Sequence, residues 1–184
     1  MANKIALSAF VFIFSAFIST SFAASLSNPG HFALEAAAAY AGCKANFTES
    51  YIGQLATDNI PNLTLTNVTS LVTTLVSDNF QLQAYASANN SGGFSAYVKS
   101  TFDPQLVSIS KATVAAVKNA KISGATLVTL KSQYNATLAT YKTCSTTALN
   151  NFKNGKAQYY QNRISALQRE IAKENSKGLN TTAW

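Results

Sequence analysis

The chain has 184 residues, which is enough for a single domain with its own buried core. Charged residues make up only 11% of it, about half of the ~25% usual in globular domains, and the formal net charge is +7. Ser, Thr and Asn supply most polar positions instead, which indicates a surface that carries sugars or is adapted to a special contact. The chain has only seven Asp and Glu residues, and they are scattered, so there are few candidates for acid–base catalysis.

The first 23 residues predict a secretory signal peptide. Lys4 supplies a positive start, and an apolar run follows from Ile5 to Ile18. Ser21 and Ala23 then place small residues at the two positions that a signal peptidase recognises. We therefore expect a secreted, extracellular protein whose mature chain begins near Ala24. No other apolar stretch approaches the length of a membrane span, so no transmembrane anchor is predicted.

The remaining residues predict one all-α domain, residues 24–177, and a flexible C-terminal tail, residues 178–184. Apolar residues recur at steps of three and four, and no segment alternates with the period of two that is typical of strands. We expect an antiparallel helical bundle of four main helices plus short extra helices, with one disulfide.

The first predicted helix runs from about residue 29 to residue 57. Asn28 and Pro29 are a cap and first-turn pair, and the run Asn59 to Pro61 ends the helix. A second helix starts near Thr66. The run Asn89 to Gly93 is predicted as a loop, with a short aromatic helix after it.

Asp103 and Pro104 predict the start of a third long helix, which we expect to end near Gly124. A fourth follows from Leu127 to Phe152. Asn154 and Gly155 are predicted to interrupt the pattern, so that a separate helix spans about residues 157–175.

The two cysteines, Cys43 and Cys144, predict a disulfide because a secreted protein folds in an oxidising compartment. The bond would tie the first helix to the fourth. In the chain-entropy description, closing a loop of about 100 residues is worth roughly 4–5 kcal/mol. The alternatives are two unpaired buried thiols or a bridge between chains.

Six Asn residues begin the Asn-x-Ser/Thr triplet that accepts N-linked glycans. The loops predicted around Asn62 and Asn89 favour those two, whereas Asn135 falls within a predicted helix. The alternative is that a chain rich in Asn and Thr contains accidental triplets. The six candidates are Asn46, Asn62, Asn67, Asn89, Asn135 and Asn180.

Basic residues concentrate in the second half of the chain and give the last predicted helix a candidate basic surface. Secretion argues against nucleic acid as its partner. A membrane-surface role and a plain solvated helix face both stay open. The surface consists of Lys153, Lys156, Arg163, Arg169, Lys173 and Lys177.

Recognisable catalytic sets are absent from the sequence. His31 is the only histidine, which leaves no zinc set and no Ser-His-Asp arrangement, and we interpret it as a solvated helix-start residue. No glycine-rich phosphate motif occurs. Glu170 and Glu174 lie one turn apart on one helix, unlike the opposed carboxyls of a glycosidase. We expect neither enzymatic activity nor a cofactor.

The residues around the second cysteine, Tyr141, Cys144, Ala148, Phe152 and Tyr160, resemble secreted insect helical proteins of the TsetseEP-domain type. Such proteins carry spaced cysteines and tyrosines in long helices. The resemblance implies an extracellular or gut-lumen protein with no established catalysis. This chain departs from the pattern in having two cysteines, and the resemblance transfers no functional residue.

Three functional hypotheses follow from these observations. The first is a secreted, N-glycosylated, non-catalytic interaction or structural protein, whose protein or glycan partner the sequence does not name. The second is an extracellular carrier that holds a small apolar ligand among the many Phe and Tyr side chains. The third is a cationic effector that acts on membranes or acidic surfaces.

Overall fold

The computed structural model describes residues 29–177. The predicted signal peptide, Asn28 and the predicted tail 178–184 lie outside the described residues. Within them there is no strand, and four long helices and one short one form an all-α bundle, as the sequence predicted. They are α1 (Pro29–Thr57), α2 (Thr66–Ser87), α3 (Ser91–Tyr97), α4 (Asp103–Ala120) and α5 (Gly124–Ser176), with a π-helical turn at Val98–Phe102 between α3 and α4.

Helix α1 is the central element, with α2 and α5 packed against it in antiparallel directions. Small side chains let the helices approach closely, since Ala38, Ala41 and Ala45 are all buried. The Gln83 side-chain amide of α2 donates a 2.8 Å hydrogen bond to the Ala38 carbonyl of α1. This bond links the two helices beside the buried Ala38 and so favours one register between them.

The apolar core lies between α1, α2 and the start of α4. Its most deeply buried large side chains are Leu55, Leu75, Leu82 and Phe102. Burial of each is worth roughly 1.5–3 kcal/mol relative to exposure to water. The turns around this core use asparagine in the left-handed region, where its short polar side chain is tolerated: Asn59, Asn62 and Asn89 have φ of 48°, 59° and 54°.

Helix α5 contributes little to that core although it has 53 residues. Leu130 and Ala148 are its only buried residues within the described chain. The helix lies along α1 from Gln133, which donates to Asp58 near the end of α1, to Tyr159, which meets Phe32 near its start. Beyond Tyr159 it continues for almost five more turns.

The predicted break at Asn154 and Gly155 is wrong, because α5 passes through both residues without interruption. A Cβ atom on Gly155 would lie 2.9 Å from a ring carbon of Phe32. The glycine therefore serves close packing against α1 rather than a change of direction. Sequence reasoning took it for a helix breaker because its packing partner lies more than 120 residues away in the chain.

Two other predicted boundaries also shift. The predicted loop at residues 89–93 is shorter, since α3 begins at Ser91 and the Asn90 side chain caps it by accepting a 2.8 Å hydrogen bond from the Gly93 amide. The third long helix ends at Ala120 rather than near Gly124, because Lys121 adopts the left-handed conformation with φ of 53° and Gly124 already begins α5.

Two glycine substitutions test this account of Gly155. Gly53 lies inside α1 with nothing within 4 Å of a built Cβ, so G53A should raise the free energy of unfolding by about 0.5–1 kcal/mol through helix propensity. G155A should instead lower it by about 1 kcal/mol, because the buried Phe32 ring must move. Chemical denaturation measures both. An equal gain in both variants would contradict the packing role.

Candidate functional site

The covalent link between α1 and α5 is a disulfide between Cys43 and Cys144. The S–S distance is 1.96 Å and the two Cα atoms are 5.8 Å apart. This is the pairing predicted from the sequence. The bond closes a loop with a sequence separation of 101 residues and holds α5 against the middle of α1.

Aromatic side chains line the α1–α5 contact on both sides of the disulfide. Tyr40 and Tyr141 have ring centroids 6.0 Å apart and share a 2.7 Å hydrogen bond in which the Tyr141 hydroxyl donates. Further along, Phe47 lies 5.7 Å from Tyr141 and 5.6 Å from Tyr134, mostly edge to face. Tyr51 completes the series at 5.3 Å from Tyr134.

Two tyrosines at the α1–α5 contact have pKa values above the ordinary value of a phenol. The hydrogen bond with Tyr141 raises the pKa of Tyr40 above its ordinary value. Burial raises the pKa of Tyr51, and the nearby Tyr134 adds to the effect. The cluster therefore offers ring faces and hydroxyl groups for binding.

An open groove of about 430 Å³ borders this cluster, between α1, the start of α5 and the whole length of α4. Phe47, Tyr51 and Tyr134 form its aromatic side. Helix α4 supplies the aliphatic side, with Val114 still 50% exposed to solvent. The aliphatic lining residues of α4 are Leu106, Ile109, Val114 and Val117.

The groove also carries a small set of polar groups. Thr48, Ser110 and Thr113 line it with hydroxyls, and Lys118 is its one charged lining residue within the described chain. The Thr113 hydroxyl already donates to the Ile109 carbonyl at 2.8 Å. An apolar surface with few polar groups and one exposed ammonium suits an apolar ligand that bears an anionic or hydrogen-bonding head.

A second open pocket, of about 480 Å³, lies at the turn between α1 and α2. It is slightly larger, but its lining contains no aromatic and no charged side chain. We therefore take the groove beside α4 as the candidate site.

A buried polar pair that sequence reasoning missed joins α2 to α3. The Tyr97 hydroxyl donates to Asp78 Oδ1 at 2.5 Å, and this bond, with burial, raises the pKa of Tyr97 to about 12. Asp78 is only 7% exposed, and its Oδ2 has no hydrogen-bond partner within the described chain. The burial of Asp78 could have been predicted from its spacing, because it lies three residues after Leu75 and four before Leu82 on the buried face of α2.

The interpretation of His31 as a solvated residue is wrong. His31 is only 8% exposed, and its Nε2 lies 2.8 Å from Glu35 Oε1 one turn further along α1. The i,i+4 spacing lets the carboxylate satisfy the imidazole while both side chains lie against the bundle. No group of three or more His, Cys, Asp or Glu residues in the described chain is placed to hold a metal ion.

The structure separates the candidate glycosylation sites by their accessibility. Asn62 and Asn89 are exposed in turns, as predicted, and Asn67 is exposed in the first turn of α2. Asn135 is exposed within α5, whereas Asn46 is half-buried in the middle of α1. Asn180 lies outside the described residues.

The six residues of the candidate basic surface are all exposed, five on α5 and Lys177 just after its end, but they do not form one compact patch. From Lys153 to Lys177 they extend over about 36 Å of helix. Lys177 is paired with Glu174 at 2.9 Å, and the Lys156 ammonium lies 5.9 Å above the Phe152 ring. In the described part of the chain, no helix is long and apolar enough to cross a membrane.

Comparison of the chain with protein-family models, with curated proteins and with solved structures found no match. The resemblance to TsetseEP-type proteins therefore stays a prediction. The candidate site rests on the geometry of its own residues.

Proposed function

We propose that the protein is a secreted, N-glycosylated, non-catalytic binding protein that carries a small apolar ligand in the groove between α1 and α4. The observation that carries this proposal is the groove itself, whose volume of about 430 Å³ lies within the range of small-molecule sites. Its wall of three aromatic rings would otherwise be left facing solvent.

The chemistry of the surrounding residues supports binding rather than catalysis. Tyr51 lines the groove, and burial raises its pKa, which favours the neutral phenol. Lys118 and the three hydroxyls supply contacts for a ligand head group but no acid–base pair. A rigid wall is an advantage for a carrier, because little side-chain freedom is lost when the ligand binds.

The disulfide and the exposed turns support the secreted, glycosylated part of the proposal. A structural disulfide persists in an oxidising compartment, and the exposed turns at Asn62 and Asn89 give a glycosylation enzyme access. Both features agree with the predicted signal peptide. Glycans at these turns would leave the groove open, since neither residue lines it.

A charge placed in the groove tests ligand binding. We expect the disulfide-bonded protein to bind the fluorescent dye 1-anilinonaphthalene-8-sulfonate, an aromatic anion, at one saturable site. V114E should weaken binding about tenfold or more, because it puts a carboxylate where the apolar rings must sit. V128E is the matched control, since Val128 is 68% exposed on α5 and does not line the groove. Equal affinity in V114E and the unmodified protein would contradict the proposed site.

Expression of the complete chain in a eukaryotic secretory host tests the location and the glycans. We expect the protein in the medium, with N62Q and N89Q each lowering its mass by one glycan. N59Q is the control, because Asn59 lies in the same turn as Asn62 but begins no acceptor triplet. Retention inside the cell, or a mass that glycosidase treatment leaves unchanged, would overturn this part of the proposal.

A further inference from the structure

The last part of α5, residues 160–176, which we call the α5 tail, carries an exposed apolar stripe. Tyr160, Ile164 and Leu167 are each 48% exposed, and Ile171 is 51% exposed. Single exposed apolar residues are ordinary on protein surfaces. Four of them at steps of four, three and four residues follow the a and d positions of a heptad, which is the pattern of a helix that pairs with another helix.

This stripe is not a continuation of the face that α5 presents to the bundle. Gly155 and Tyr159 contact Phe32 of α1, whereas Tyr160 is turned by about 100° from Tyr159 around the helix. The positions that would continue the bundle-facing row are occupied by Asn162, Ala166 and Lys173, all exposed. The stripe therefore faces away from α1. Its exposure is due to its position around α5 and not to the point at which α1 begins.

The charges beside the stripe are self-complementary when two tails run in opposite directions. With Ile164 opposite Leu167 of a second copy, Tyr160 falls opposite Ile171, and the two-fold axis doubles both contacts. In the same register Arg163 lies opposite Glu170 of the second copy. Both are exposed, and neither is in an ion pair within the described chain.

The parallel arrangement lacks this complementarity. In a parallel pair, Arg163 would face Gln168 and Glu170 would face Asn175, so no opposite charges would meet. In the antiparallel pair, the two Arg163–Glu170 contacts lie on one side of the stripe. On its other side, Gln161 lies opposite Gln168 of the second copy. The sequence of the tail thus favours one partner and one direction.

We propose that the α5 tail is a dimerisation segment that pairs with the α5 tail of a second copy of this chain as a short antiparallel coiled coil. Four apolar layers over about 17 Å of helix make a small interface, so the dimer should be reversible. The groove beside α4 lies toward the opposite end of α5, so two copies would present two independent binding sites.

Charge reversal tests the proposal on the complete, disulfide-bonded protein by sedimentation equilibrium across the micromolar range. The unmodified protein should form a reversible dimer. R163E and E170R should each weaken dimerisation about tenfold, because two attractive pairs become repulsive. An equimolar mixture of R163E and E170R should restore association to near that of the unmodified protein. In the mixed dimer one contact joins the two substituted side chains and the other joins the two native ones, so opposite charges meet at both. Circular dichroism of each variant checks that the fold is kept.

Three outcomes would overturn the proposal. The first is an unmodified protein that stays monomeric at every concentration. The second is a mixture of the two variants that associates no better than either variant alone. The third is a monomer whose stripe instead binds vesicles of anionic lipid, shown by salt-sensitive binding that I164D abolishes, which would assign the stripe to a membrane surface. V114E should dimerise like the unmodified protein, so a failure of the groove proposal would not affect this result.

Discussion

The pairing of α1 with α5 is the constraint on which the rest of the structure depends. Helix α2 buries seven residues against its neighbours, but α5 buries only Leu130 and Ala148 over its full length in the described chain. With so few fully buried residues, we expect packing alone to hold this 53-residue helix only weakly. The Cys43–Cys144 bond supplies the missing restraint, and the aromatic contacts around it set the orientation of the two helices.

The candidate site follows from the same restraint. The aromatic wall of the groove requires Tyr134 of α5 to lie beside Phe47 and Tyr51 of α1. The disulfide at Cys144, about three turns further along α5, restrains Tyr134 in this position. Helix α4 packs mainly on α2 and leaves a gap to this wall. The gap is the groove, and its aromatic side depends on the α1–α5 pairing that the disulfide restrains.

Local patterns in the sequence predicted the all-α class, the bounds of α1 and the disulfide correctly. Pro29 and the Asn59–Pro61 run mark the bounds of α1, and the steps between Cys43, Phe47 and Tyr51 place them on one face. Features that depend on contacts between residues far apart in the chain could not be predicted from local patterns. Gly155 was misread because Phe32 determines its role, and the groove was not predictable because no pattern within α4 reveals how far it stands from α1.

The most direct test of this account is hydrogen exchange of the disulfide-bonded protein and of the C43S/C144S variant. Without the bond, the amides of α5 around Tyr134 to Ala148 should lose most of their protection, while those in the α1–α2 core around Ala38 and Leu82 keep theirs. Unchanged protection of α5 in the variant would contradict the account. It would mean that packing alone holds α5 on the bundle.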